Sequence, residues 1–211
     1  MSEVSTSPNA KQIARQLWER KHDPEKREKF LIAQRKAVKT LRASQKAAVV
    51  AHYGGRCKCG IADTDVLTVD HINEDGHKHG PHGKRNNRSY QYFDVIRAGF
   101  PDDIQLLCFV CNQLKHVAHI GVSSKPSAVE YQRLRRQVID GYGGRCPCGE
   151  DRLDALTIDH VNHDGSKDRA EVGTVKIYRR LRRENFPSGY QVLCLNCNWK
   201  RFLTKLSDVG R

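Results

Sequence analysis

The sequence predicts an α+β protein built from two copies of one small, cysteine-clamped unit behind a basic helical arm. Three observations carry this. The stretch Leu-Thr-Val-Asp-His-Ile-Asn-Glu-Asp-Gly, Leu67 to Gly76, returns as Leu-Thr-Ile-Asp-His-Val-Asn-His-Asp-Gly, Leu156 to Gly165. All eight cysteines fall at repeated positions, four in each half. Alternating apolar runs, which place successive side chains on opposite faces of a strand, alternate in both halves with segments of helical composition.

The repeat extends on either side of its centre. Tyr53-Gly-Gly-Arg-Cys57-Lys-Cys59-Gly60 matches Tyr142-Gly-Gly-Arg-Cys146-Pro-Cys148-Gly149 at the offset of 89 residues that relates Asp70 to Asp159. Phe100-Pro101 through Cys108-Phe-Val-Cys111-Asn112 matches Phe186-Pro187 through Cys194-Leu-Asn-Cys197-Asn198 at an offset of 86. So long a period in only two copies indicates a duplicated domain, not a solenoid. The expected organisation is an arm over 1–48, a first domain over 49–118, a linker over 119–128 and a second domain over 129–211.

In chain order, helical composition from Lys11 to His52 is broken at Asp23-Pro24, where proline suits the first turn of a new helix. Residues 1–49 hold twelve Lys or Arg against five Asp or Glu. Ile13, Leu17 and Trp18 form one apolar stripe and Leu31, Val38 and Leu41 another, so each helix is expected to have a side that docks and a basic side. The strand Leu67 to Asp70 follows the first Cys pair. Residues 75–89 form a basic loop whose His77, His79 and His82 are matched in half two by Ser166, Asp168 and Glu171, which argues against a metal cluster there. A short helix, Tyr90 to Ala98 or Tyr178 to Asn185, leads to Phe-Pro. A strand, Ile104 to Leu107 or Tyr190 to Leu193, then delivers the second Cys pair at a helix start. Val129 to Ile139 rebuilds the helix before the second knuckle.

A net charge of +13 and a pI near 9.5 point to an acidic polymer as partner, because basic groups gain affinity by releasing counterions from phosphates. No apolar run is long enough to span a bilayer and the polar N-terminus lacks a signal-peptide core, so a cytoplasmic protein without membrane contact is expected. In that setting cysteines serve as metal-binding thiolates in preference to disulfides.

Four thiolates from two pairs suit a tetrahedral zinc ion. Half one offers Cys57, Cys59, Cys108 and Cys111; half two offers Cys146, Cys148, Cys194 and Cys197. The first pair is C-x-C, one residue shorter than the usual spacing. Structural zinc has no use for the adjacent Asp-His. A carboxylate suits a hard cation that also binds phosphate oxygens, and a neutral imidazole suits general-base work near pH 7. The Asn after the last Cys could complete the cation site. Together these are parts for hydrolysing a phosphodiester.

The combination of D-H with L-C-x-x-C-N resembles the HNH, or His-Me finger, nucleases, especially those of phage type whose pattern runs Y-G-G-x-C, D-H-I-N-x-D-G, F-P, Y-Q-x-L-C-x-N-C-N. The resemblance covers Tyr53 to Lys115 and Tyr142 to Arg201. It implies tandem duplicated ββα-metal (HNH) domains with zinc-ribbon-like four-cysteine sites and a metal-dependent DNA endonuclease activity. Its implied general bases are His71 and His160. Implied ligands of Mg²⁺ or Mn²⁺, one ion per active site, are Asp70 with Asn112 and Asp159 with Asn198, and the eight cysteines would hold two structural Zn²⁺. The Asn that many members place before the second Cys pair is Asp103 here in half one and Gly189 in half two. Expected phosphate contacts on double-stranded DNA are Lys84, Arg85, Arg88, Lys115, Arg179, Arg180, Arg182, Arg183, Lys200 and Arg201. A monomer with pseudo-two-fold symmetry would cut one strand with each site, with further dimerisation open. The alternatives are a non-catalytic zinc-dependent DNA-binding protein and a nuclease that resolves branched DNA.

Overall fold

A computed structural model of the chain describes residues 8–73, 92–121, 123–165 and 174–208. The basic loop, with Lys84, Arg85, Arg88 and its three histidines, lies outside the described residues. The arm is two helices, α1 (Pro8–His22) and α2 (Pro24–His52). They meet at Asp23, whose carboxylate accepts from the backbone N–H groups of Glu25 and Lys26 at 3.0 and 3.1 Å, with Pro24 in the first turn.

The same order of elements then occurs twice. Half one has β1 (Leu67–His71), α3 (Tyr92–Arg97), β2 (Ile104–Cys108) and α4 (Phe109–Ile120). Half two opens with α5 (Pro126–Gly141) and continues with β3 (Leu156–His160), α6 (Thr174–Arg183), β4 (Tyr190–Cys194) and α7 (Leu195–Asp208). Each half contains a two-stranded antiparallel sheet, β1 with β2 and β3 with β4, in equivalent register: Asp70 lies opposite Gln105 and Asp159 opposite Gln191. The fold class is α+β, with small antiparallel sheets and two four-cysteine clusters.

Tyrosine hydroxyls tie the knuckles to the Phe-Pro turns in both halves. Tyr53 donates to the Pro101 carbonyl at 2.7 Å and Tyr142 to that of Pro187 at 2.8 Å. The turn phenylalanines, Phe100 and Phe186, have left-handed φ of 58° and 59°. Where half one stacks His52 on Phe100 at 4.2 Å, half two has Gly141, at which a Cβ would come within 2.5 Å of the Phe186 ring.

The halves share a core, beside a second cluster of Leu134, Val138, Tyr178 and Leu181 within half two. Val66, Leu67, Leu106, Leu107 and Val110 of half one pack in a single buried cluster with Ile139, Ala155, Leu156, Val192 and Leu193 of half two, together with cysteines from both sites. Helices α4 and α7 cross this boundary, and Asn196 is the one buried polar side chain among the described residues. Its Oδ1 accepts from the Val110 N–H at 3.3 Å.

One expectation needs correction. The apolar stripes of the arm do not dock in the core: Ile13, Leu17, Trp18, Val38 and Leu41 are exposed and Leu31 is only half-buried, because only the C-terminal end of α2, at Val49 and Val50, enters the core. The connection between α4 and α5 lies between Ile120 and Pro126, inside the segment expected as linker. Nothing breaks α4 before Gly121, whose φ of +67° suits a residue without a side chain, and Pro126 starts α5.

Candidate functional site

Each Cys pair is positioned by a different element. Gly-rich turns carry the first pair. The last residue of β2 or β4 and the third residue of the following helix carry the second pair, so Cys108 and Cys111, or Cys194 and Cys197, lie one turn apart. The Cys111 and Cys197 N–H groups donate to the Sγ atoms of Cys108 and Cys194 at 3.5 and 3.4 Å.

Within each cluster the four sulfurs lie within 4.8 Å of one another, with Cys59 and Cys108 Sγ 3.8 Å apart and Cys148 and Cys194 Sγ 3.6 Å apart. Four sulfurs about 2.3 Å from a zinc ion would stand about 3.8 Å apart. The clusters are therefore compatible with two structural zinc ions, and the shortened C-x-C still brings its sulfurs together with those of the second pair. Burial pushes the Cys194 thiol up to about 11 and raises Cys111 and Cys197 as well, so metal binding here is coupled to proton release.

Asp70-His71 and Asp159-His160 are the last two residues of β1 and β3. The cross-strand partner of each aspartate holds its carboxylate: Gln105 Nε2 donates to Asp70 Oδ2 at 2.7 Å, and Gln191 Nε2 to Asp159 Oδ2 at 3.0 Å. From the helix behind, Lys115 Nζ reaches Asp70 Oδ2 at 2.6 Å and Arg201 Nε lies 3.0 Å from Asp159 Oδ2. Lys115 also donates to the His71 carbonyl and Arg201 to that of Val161.

Since Lys115 and Arg201 stand four residues after Cys111 and Cys197, one helix face runs from thiolate to carboxylate. Asn112 and Asn198 lie on the neighbouring face. They line a shared groove between α4 and α7, each three residues before the cation that holds its aspartate. His160 stacks obliquely on Tyr190 with centroids 4.8 Å apart, and its Nδ1 lies 2.7 Å from where a Cβ on Gly165 would sit.

No protein-family model matches this chain, and neither curated proteins nor solved structures gave a match.

The remaining expected contacts divide. Arg179, Arg182 and Arg183 of α6 are exposed, with Arg182 donating to Gln137 Oε1 at 3.0 Å. Arg180 turns inward and donates to the Tyr190 hydroxyl at 2.7 Å. Lys200 pairs with Asp63 of the other half at 2.8 Å. Among the described residues no helix is long and apolar enough to cross a membrane. The sequence pattern assigned no role to Gln105 and Gln191, although they repeat at the same offset of 86 as the cysteines beside them.

Proposed function

We propose that the chain is a metal-dependent DNA endonuclease with two HNH-type active sites on duplicated ββα-metal units, each cutting one strand of double-stranded DNA. The observation that carries this reading is the doubled arrangement around the aspartates. In both halves an Asp-His strand end is held by a cross-strand Gln and backed by a cation on the helix leaving the four-cysteine cluster. One such arrangement is an ordinary strand-end hydrogen bond; two at matched positions indicate a retained task.

In this reading His71 and His160 take a proton from the attacking water. Asp70 with Asn112 and Asp159 with Asn198 would hold Mg²⁺ or Mn²⁺, which would supply positive charge to the phosphate and the leaving oxygen. Both contacts to each aspartate use Oδ2, and a carboxylate offers about four acceptor positions over its two oxygens. A hard cation can thus join without breaking either contact. Gln105 and Gln191 fix the carboxylates. That Asn112 and Asn198 line one groove supports a single DNA molecule reaching both sites.

Incubation with supercoiled plasmid and Mg²⁺ tests this. The intact chain should linearise plasmid, whereas His71→Ala and His160→Ala should each only nick it. Should neither Mg²⁺ nor Mn²⁺ support cleavage of duplex or four-way junction, the nuclease reading fails.

The ion pairs Asp70–Lys115 and Asp159–Arg201 favour a second reading, in which both carboxylates are already neutralised and the chain is a zinc-dependent DNA-binding protein. It expects salt-dependent binding without cleavage, and no change on replacing His71 or His160.

A further inference from the structure

The groove between α4 and α7 has a volume of about 550 Å³ and is lined by three aromatic rings, Phe109, Trp199 and Phe202, and three amides, Asn112, Gln113 and Asn198. We infer that it binds a nucleobase of the DNA; this rests on the reading that DNA is the partner, and not on cleavage.

The lining comes from one face of each helix, residues spaced by three or four. Trp199 lies 5.4 Å from Phe109 and 5.4 Å from Phe202, centroid to centroid, with interplanar angles of 59° and 38°. Trp199 and Phe202 remain 39 % and 44 % exposed. Rings completing a core would be buried; these are held against one another yet open to solvent. The walls also differ. Trp199 corresponds to Gln113, Phe202 to His116 and Leu195 to Phe109, so the two halves place their rings and amides at different positions.

A nucleobase needs both: a flat surface for its π face and amide groups for its edge, which Gln113 offers as donor and acceptor and Asn112 and Asn198 offer through Nδ2 where their Oδ1 atoms hold a cation. The surrounding charge suits the flanking phosphates. Helices α4 and α7 carry Lys115, Lys200, Arg201 and Lys205; the first three are paired with Asp70, Asp63 and Asp159, so the attraction for phosphates comes from the chain's net charge of +13 more than from these side chains. The same charge disfavours a second copy of the chain as the occupant, because it would bring like charges together.

The chain has two tryptophans, so Trp18→Phe leaves Trp199 as the only indole. This variant is titrated without Mg²⁺, at fixed salt, with a short oligothymidylate and with an abasic oligomer of the same length. Saturable quenching of Trp199 by the thymidylate, but not by the abasic chain, is expected. Trp199→Ala should weaken thymidylate binding roughly 5- to 150-fold, the equivalent of about 1–3 kcal/mol for one stacked base, while Trp199→Phe retains most of it and controls for folding. Equal quenching by the abasic oligomer, or Trp199→Ala binding within about two-fold of the parent, would overturn the inference. So would a concentration-dependent dimer that dissociates in Phe202→Ala. Quenching without plasmid cleavage leaves the base site standing and removes the nuclease; cleavage without quenching does the reverse.

Discussion

Lys115 Nζ lies 2.6 Å from Asp70 Oδ2, and at the matching position of half two Arg201 Nε lies 3.0 Å from Asp159 Oδ2. The first pair is well shielded, with side chains 15 % and 13 % exposed. Removing one partner of a buried pair leaves an uncompensated charge, and Lys115→Met should cost about 3 kcal/mol, the low end for such pairs given the residual exposure. If Asp70 also holds a divalent cation, the loss becomes metal-dependent. Manganese at about a hundred times its Kd should return about 2.7 kcal/mol. Thermal melts of Lys115→Met with and without Mn²⁺ measure this, and an unchanged Tm on adding Mn²⁺ would show that the aspartate is not a cation site.

Because the cores of the two halves merge, the zinc sites should not fail independently. Metal analysis is expected to give two zinc ions per chain. Cys111→Ser should retain one, yet lower the stability of the whole chain, since Cys111 packs in the same cluster as Leu156 and Cys194. Zinc binding contributes on the order of 10 kcal/mol in small zinc domains, enough to make each site decisive. Calorimetry should show one transition for the intact chain; two well-separated transitions would mean that the shared cluster does not couple the halves.

The elements around the sites were legible in the sequence because local rules decide them. Alternation placed β1 and β3 within a residue of their ends, and Asp23-Pro24 marked the break between α1 and α2. The cysteine spacing identified both clusters, since ligand chemistry depends on residue type. What stayed hidden depends on packing between distant segments. Nothing in the local pattern of Val110 and Asn196 says that they face one another across the two halves. The stripe of α2 read as a docking face, although periodicity does not reveal whether a neighbour is present. The glutamines were missed because their partners lie across a ladder whose register the chain pattern alone did not supply.

The facing pair offers its own test. Asn196 is 8 % exposed and its Oδ1 receives the Val110 N–H at the start of α4. Asn196→Val makes the boundary symmetric in sequence but strands that donor away from water, at a cost of about 1–3 kcal/mol. Asn196→Asp keeps an acceptor and should lose less. Denaturant unfolding of both variants gives the comparison. A valine variant as stable as the parent would mean that Val110 finds another acceptor.

Gly165 sets the room available to His160. A Cβ there would lie 2.7 Å from Nδ1 and 3.1 Å from Cε1 of the imidazole, closer than side chains pack, so Gly165→Ala must displace the ring or the turn. Gly165 does not need a left-handed backbone, and alanine adds no conformational penalty of its own; stability should stay near that of the parent. A shift of about 1 Å in a proton-accepting group can cost about 100-fold in rate. The expected outcome is loss of linearisation with nicking retained, as in His160→Ala. Combining the two substitutions separates a positioning role from a structural one. With His160 already absent, Gly165→Ala should change nothing further, because the side chain it displaces is gone. If Gly165→Ala alone linearises plasmid at the parental rate, His160 is not the base in half two; if the double variant loses its remaining nicking, the glycine serves the fold and not the imidazole.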